Sequence, residues 1–246
     1  MSLALLEVGS ISKRFGGFAA LTDVSLTVQP DERLGIIGPN GSGKTTLINC
    51  IAGALRTDGG AIRFQGADVT RLPPHKRTRL GLARSFQIPH PFASMTLAQN
   101  VAVPLEYVAH RGALNTADVR GEALAILGQM GLAAAADQLA GTLTQVGLRK
   151  LELARALAAR PRLLILDEVM AGLSAGEVDE MLEIVLGLNA QGIAVIMIEH
   201  IMRAIMRFSQ RVVCLDSGRV VADAPPAAIL QDSMVQRIYL GAQAVD

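Results

Sequence analysis

The chain has 246 residues, 50% of them hydrophobic, with 23 Lys and Arg set against 22 Asp and Glu for a net charge of +1. That is enough apolar material for one compact domain, or two small ones sharing a core, and the balance excludes the basic field that gathers nucleic acid or an anionic membrane. Mean hydropathy is +0.37, yet charge or glycine interrupts every apolar run short of the roughly 18 residues a membrane span needs.

In chain order, MSLALLEVGSISKRF lacks a basic leader and a small-residue cleavage site, so the protein is expected to stay inside the cell. LLEVGSI and DVSLTV predict strands, and RLGIIG predicts a third that runs straight into GPNGSGKT at 38–45. A helix is expected over 44–54 and a strand at AIRFQG. Residues 88–157 are Ala-rich, broken at Pro89, Pro91, Pro104 and Gly112, and contain no convincing strand, which predicts a helical insertion with helices near 117–130 and 147–159. The run AAAA at 133–136 is too short for a linker and fits a connection between helices. Beyond it, LLILDE, IAVIMIEH and RVVCLDSG predict strands alternating with helices at 176–190 and 201–209, the pattern of a parallel sheet flanked by helices. Cys50 and Cys214 have apolar neighbours and no metal-ligand spacing, so a reduced, cytosolic chain is expected and neither reads as a nucleophile. Met197, Met202 and Met206 read as core filler.

The spacing Gly38, Gly43, Lys44, Thr45 fits a phosphate-binding loop between strand and helix. Backbone N–H groups must curl closely around a polyphosphate, which only a loop nearly free of Cβ atoms allows. Gly38, Pro39, Asn40, Gly41, Ser42, Gly43, Lys44, Thr45 and Thr46 are therefore candidate nucleotide-binding residues. Lys44 would reach the β and γ phosphates, the helix N-terminus would face the anion, and the Thr45 hydroxyl would ligate Mg²⁺. LLILDE supplies the second element: Asp167 to hold Mg²⁺ and Glu168 to polarise the water that attacks the γ phosphate. Two carboxylates ending a strand are more often a solvated turn; joined to the glycine loop they point to ATP hydrolysis.

With these motifs, SKRFGGFAAL, ARSFQIPHPF, IEHIM and LTQVGLRKLELARAL make the chain resemble, across essentially its whole length, the nucleotide-binding subunit of ATP-binding-cassette transporters. The resemblance implies an α/β P-loop NTPase: a single domain over 1–246 with a RecA-like parallel-sheet core (1–87 and 158–246), an N-terminal antiparallel β layer and an inserted helical subdomain (88–157) carrying the signature segment. It implies that Phe15 stacks on adenine, that Gln87 reaches the Mg²⁺ and the catalytic centre, and that His200 senses the γ phosphate. Thr144 and Gly147 would cover ATP bound to a second ATPase subunit, identical or different, in a head-to-tail dimer. Further implied are membrane permease subunits docked on the helical subdomain, a periplasmic binding protein acting indirectly, and a peripheral position on the cytoplasmic face of the inner membrane. FGGFAAL, GLARSFQ, MTLAQNV, RKLELARAL and IEHIM are similar to importers of branched-chain and other hydrophobic amino acids or their amide, urea and aromatic-acid relatives. The lipopolysaccharide-export ATPase shares much of that pattern.

The family's Leu-Ser-Gly-Gly-Gln signature is here Leu143, Thr144, Gln145, Val146, Gly147. Val146 would crowd the γ phosphate where a second glycine is usual, so either a register shift brings Gly147 forward or the site is weak. Val169 and Ser174 also depart from the pattern, and Arg149 with Lys150 reads as a solvated face. Two alternatives stay open. One is a slow ATP-dependent dimerisation module. The other is a cassette acting on nucleic acid, against which stand the absence of heptads and cysteine clusters between loop and signature.

Overall fold

The computed structural model describes residues 4–85, 90–109 and 116–241. Two sheets and a helical layer share one polypeptide. β1 (Leu6–Phe15) and β2 (Phe18–Val28) form a hairpin about Gly16 and Gly17, and β4 (Gly59–Phe64) with β5 (Ala67–Asp68) completes an antiparallel sheet in the order β2-β1-β4-β5. The second sheet runs β10-β9-β3-β8-β7-β6, comprising β3 (Arg33–Ile37), β6 (Leu82–Arg84), β7 (Leu163–Asp167), β8 (Ala194–Ile198), β9 (Arg211–Asp216) and β10 (Arg219–Ala224). All its neighbours are parallel except the β9–β10 hairpin.

β7 and β8 are buried along their full length, which explains why they are continuous apolar runs rather than alternating ones. The side-chain period of two divides the core. Leu163, Ile165, Ala194 and Ile196 face the antiparallel sheet together with Leu47, Ile48 and Ile51 of α1 (Lys44–Ala52). Leu164, Leu166, Val195 and Met197 face the opposite way, towards the helices.

On that side lie α3 (Leu97–Pro104), continued by a π-helical turn at Leu105–Ala109, α4 (Thr116–Gln129), α5 (Gln145–Ala158), α6 (Ala175–Ala190) and α7 (Met202–Phe208). α3 starts on a capping box between Thr96 and Gln99, and Pro104 sits where the helix widens into the π turn. The Ala run falls in a 3₁₀ turn, Ala133–Ala135, between α4 and α5. α2 (Pro74–Arg79), α8 (Pro226–Gln231) and α9 (Ser233–Gly241) complete the chain. No helix among the described residues is long and apolar enough to cross a membrane.

The five expected helices occur within two residues at either end, and the expected strands occur at their places. β1 and β2 run on beyond their apolar stretches, because the hairpin pairing continues to Phe15 and Phe18. β5, β6, β10, α2, α3, α8 and α9 are additions. Three residues cannot show a period, which hides β6; α2 and α8 are six residues each, about one and a half turns.

Candidate active site

β3 delivers the chain to the centre of the parallel sheet, and residues 38–43 curl back into α1. The curl is made by glycines at positive φ: +149° at Gly38, +78° at Gly41 and +103° at Gly43. A Cβ on Gly38 would lie 2.2 Å from the Leu215 carbonyl oxygen, so at that position the glycine is required for space as well as for conformation. Lys44 Nζ donates to the carbonyls of Gly38 (2.7 Å) and Pro39 (3.0 Å), wrapping the loop around its own cation. Burial lowers the Lys44 pKa, opposed by the carboxylates of Glu168 and Asp167. Gly43 precedes α1 without a side-chain cap, leaving the first-turn N–H groups open, while Asn40 and Thr45 are exposed and Pro39 and Thr46 half-buried. Ser42 is buried, and Gly218 donates its N–H to the Ser42 carbonyl (2.9 Å).

Two neighbouring strands end at the same edge. In register, Ile36 of β3 pairs with Ile198 of β8, and Asp167 of β7 pairs with that same Ile198. Gly38, His200 and Glu168 therefore leave the sheet side by side. Asp167 is buried, which pushes its carboxyl up, and Arg84 Nη2 at 2.8 Å pulls the other way. Arg84, at the end of β6, also donates to Asn49 Oδ1 of α1. Glu168 takes a left-handed conformation, φ +50°, and donates its N–H to the Ile198 carbonyl (2.9 Å). Its Oε1 lies 2.8 Å from His200 Nε2, which assigns the proton of a neutral imidazole to Nε2.

Arg84 and Glu199 are the site-edge residues that sequence reasoning missed. Glu199 is 3% exposed and accepts the Met170 N–H through Oε1 (2.8 Å), tying the end of β8 to the loop that follows Glu168. Burial pushes its carboxyl up to about 7, with the Met170 bond and Arg149 opposing and Glu168 and Asp167 assisting. Unfolded, this group ionises near its ordinary 4.5, so between 4.5 and 7 only the folded state keeps the proton. Stability from this group thus falls as pH rises through that window and then levels. Glu199→Gln keeps an acceptor for Met170 without the charge. Its stability relative to the wild type is expected to rise between pH 5 and pH 8 by on the order of 3 kcal/mol, measured by urea unfolding.

Phe15 ends β1 half-exposed (50%), with Lys13 Nζ 5.6 Å from its ring centroid, so it does not simply pack. The β2 strand after it reaches the loop, because a Cβ on Gly43 would lie 2.7 Å from the Ala20 carbonyl oxygen. Gln87 lies outside the described residues. Thr144 is the exposed N-cap of α5, and its Oγ1 accepts the Gly147 N–H (3.3 Å). Gly147 is buried, and a Cβ there would lie 3.3 Å from Leu143. Arg149 and Lys150 are not a solvated face. They are 8% and 9% exposed, and Lys150 Nζ reaches Glu180 Oε1 on α6 (2.6 Å), because tertiary packing turns that side of α5 inward. Val169 is buried in the helical-side core, and Ser174 caps α6 in a capping box with Glu177, the work an Asp or Asn would do there. Cys50 and Cys214 are buried thiols whose pKa burial pushes to about 11, far from a thiolate nucleophile.

These residues fit a magnesium nucleotide. An uncapped helix N-terminus, a buried lysine held at the mouth of the loop and an exposed Thr45 would supply the phosphate donors and one metal ligand. Asp167 is a buried carboxylate already matched to a cation, Arg84. No cluster of three His, Cys, Asp or Glu suited to a metal occurs among the described residues, and an ion held by one carboxylate, one hydroxyl and substrate phosphates requires none.

Comparison with known proteins agrees with this geometry. The family model described as ABC transporter matches residues 21–171. A branched-chain amino acid transport ATP-binding protein, BraF of Pseudomonas aeruginosa, is 36% identical, the match covering 98% of this chain and 99% of the relative. LivG of Escherichia coli is 35% identical with the same coverage, and the lipopolysaccharide export ATP-binding protein LptB of Acidithiobacillus ferridurans is 35% identical over 97% of this chain and 98% of its own. Among solved structures, the ADP conformation of an ATP-binding cassette of an ABC transporter superposes with a TM-score of 0.86 at 30% identity, covering 98% of this chain and 100% of that one. The chain belongs to the ABC transporter family and is a nucleotide-binding, ATP-hydrolysing subunit.

Proposed function

We propose that the chain drives import of branched-chain or other hydrophobic amino acids, or related amides, through separate membrane subunits. The observation that carries the catalytic part is Lys44, on its glycine loop, set beside the strand ends bearing Asp167, Glu168 and His200. The substrate class rests on the likeness to branched-chain amino acid transport proteins.

Lys44 and the N–H groups of the loop and first turn bind the β and γ phosphates, exchanging the Gly38 and Pro39 carbonyls for phosphate oxygens. Glu168 takes the proton of the attacking water, and His200 Nε2–H, which otherwise holds that carboxylate, turns to the γ phosphate when ATP binds. Thr45, Asp167 and Gln87 would hold Mg²⁺, which would supply neutralisation of the phosphate charge. Phe15 offers an open π face to adenine. Thr144 at the exposed start of α5 is presented to nucleotide on a second ATPase subunit, where half-buried Val146 narrows the approach. The helices within 88–157 act as the subdomain that meets the permease, which places the protein peripherally at the cytoplasmic face of the inner membrane. Likeness to the lipopolysaccharide exporter makes export the second reading.

The test is MgATP hydrolysis by the purified chain over a range of protein concentrations. Specific activity is expected to rise with concentration, to vanish in Lys44→Ala, and to increase severalfold in Val146→Gly. Activity independent of concentration and of Lys44 would overturn the assignment. Solute uptake with the cognate membrane subunits separates amino acid import from export.

A further inference from the structure

Tyr239 lies 201 residues from Gly38, yet its hydroxyl accepts the Gly38 N–H at 2.7 Å. Gly38 is the buried residue at which β3 becomes the phosphate loop, and it is held on every side. Leu215 leaves no room for a side chain, Lys44 Nζ takes the carbonyl, and the phenol takes the N–H. Tyr239 belongs to α9, which starts on Asp232, whose Oδ1 accepts the N–H groups of Met234 (2.8 Å) and Val235 (3.0 Å). Val235, Ile238 and Tyr239, at i, i+3 and i+4, pack into the helical-side core, while Met234, Gln236 and Arg237 face solvent. α9 is thus a short helix docked by one stripe, with a single polar group reaching into the nucleotide loop. The phenol pKa is pushed up to about 12 by burial, so the hydroxyl stays neutral throughout the working pH range.

We infer that Tyr239 is a positioning residue for nucleotide binding, and that docking of α9 and occupation of the phosphate loop reinforce each other. The inference rests on the reading of residues 38–46 as the nucleotide site. Its physical basis is the peptide joining Ile37 to Gly38. Tyr239 holds the N–H of that peptide and Lys44 the carbonyl of the next, so a loop that reorients around phosphates shifts its load onto the phenol. Linkage then requires that what the nucleotide gains from an ordered Gly38, α9 gains from the nucleotide. Without the hydroxyl, the buried Gly38 N–H has lost its acceptor and the loop relaxes to find another.

The test combines ADP binding by titration calorimetry with hydrogen exchange of the C-terminal helix, on the full chain. Tyr239→Phe, measured well below its melting temperature, is expected to bind ADP about fivefold to tenfold more weakly. Its kcat at saturating ATP should stay within about twofold of the wild type, so that the loss appears in KM. In the wild type, ADP should slow amide exchange across 233–239, a measurement that needs no variant. If Tyr239→Phe melts earlier but binds ADP as the wild type does, while Lys44→Ala loses binding, the phenol is only structural and the inference fails. Exchange in α9 that ignores ADP overturns it as well. If Lys44→Ala binds ADP normally, the reading of the loop itself is wrong, and the inference falls with it.

Discussion

Glu168→Gln is expected to lower steady-state ATP hydrolysis by at least ~100-fold while leaving nucleotide affinity equal or tighter. On the proposed assignment, this carboxylate removes the proton of the attacking water. An amide has the same shape and can still pair with His200 across the 2.8 Å contact, but it has no basic lone pair of comparable strength. The backbone holding it is indifferent to the change, since the N–H bond to Ile198 and the left-handed φ of +50° involve only main chain. Removing a negative charge next to the polyphosphate also relieves repulsion with the ligand, so affinity should not fall. Single-turnover hydrolysis alongside equilibrium binding measures both. A variant that turns over within threefold of the wild type would assign the base elsewhere.

The second large effect is on the loop itself. Gly38→Ala is expected to destabilise the fold by ~3 kcal/mol or more and to remove nucleotide binding, whereas Gly41→Ala should cost about 1 kcal/mol. Both glycines have positive φ, but +78° at Gly41 lies near the left-handed well that other residues visit while +149° at Gly38 lies far outside it, so conformation already weighs more heavily at Gly38. Space separates them further. A methyl group on Gly41 would have no atom within 4 Å, while one on Gly38 would meet Leu215 O at 2.2 Å and Ser42 Oγ at 2.7 Å. The carbonyl belongs to β9 in the sheet and cannot yield, so the loop must, and with it the Lys44 bond to Gly38. Denaturant unfolding of the two variants side by side gives the comparison. Equal losses would mean that neither the unusual φ nor the crowding at Gly38 sets the requirement.

Much of this site was legible because its chemistry is local. A strand, a glycine-rich turn and a helix lie within 33–52, and an apolar run ending in two carboxylates announces itself without a partner. Arg84 was hidden by the shortness of β6 and by the 83 positions separating it from Asp167. Glu199 stood in plain view between Ile198 and His200, but its importance comes from burial and from Met170, neither of which a three-letter motif contains. Charge misled at Arg149 and Lys150, both buried, where Lys150 finds Glu180 of α6 in place of water. Gly147 lies in the first turn of α5, where its N–H goes to the Thr144 cap, a role the motif does not announce.

The clasp between Lys44 and the carbonyls of Gly38 and Pro39 has a consequence for selectivity. An ammonium has three N–H groups and two of these are held by carbonyls, so a single phosphate gains little room there before it must displace a backbone oxygen. Further phosphates reach the helix N-terminus as well. The loop therefore counts: it should rank nucleotides by the length of the polyphosphate tail, with monophosphates weakest and each added phosphoryl group a step in favour.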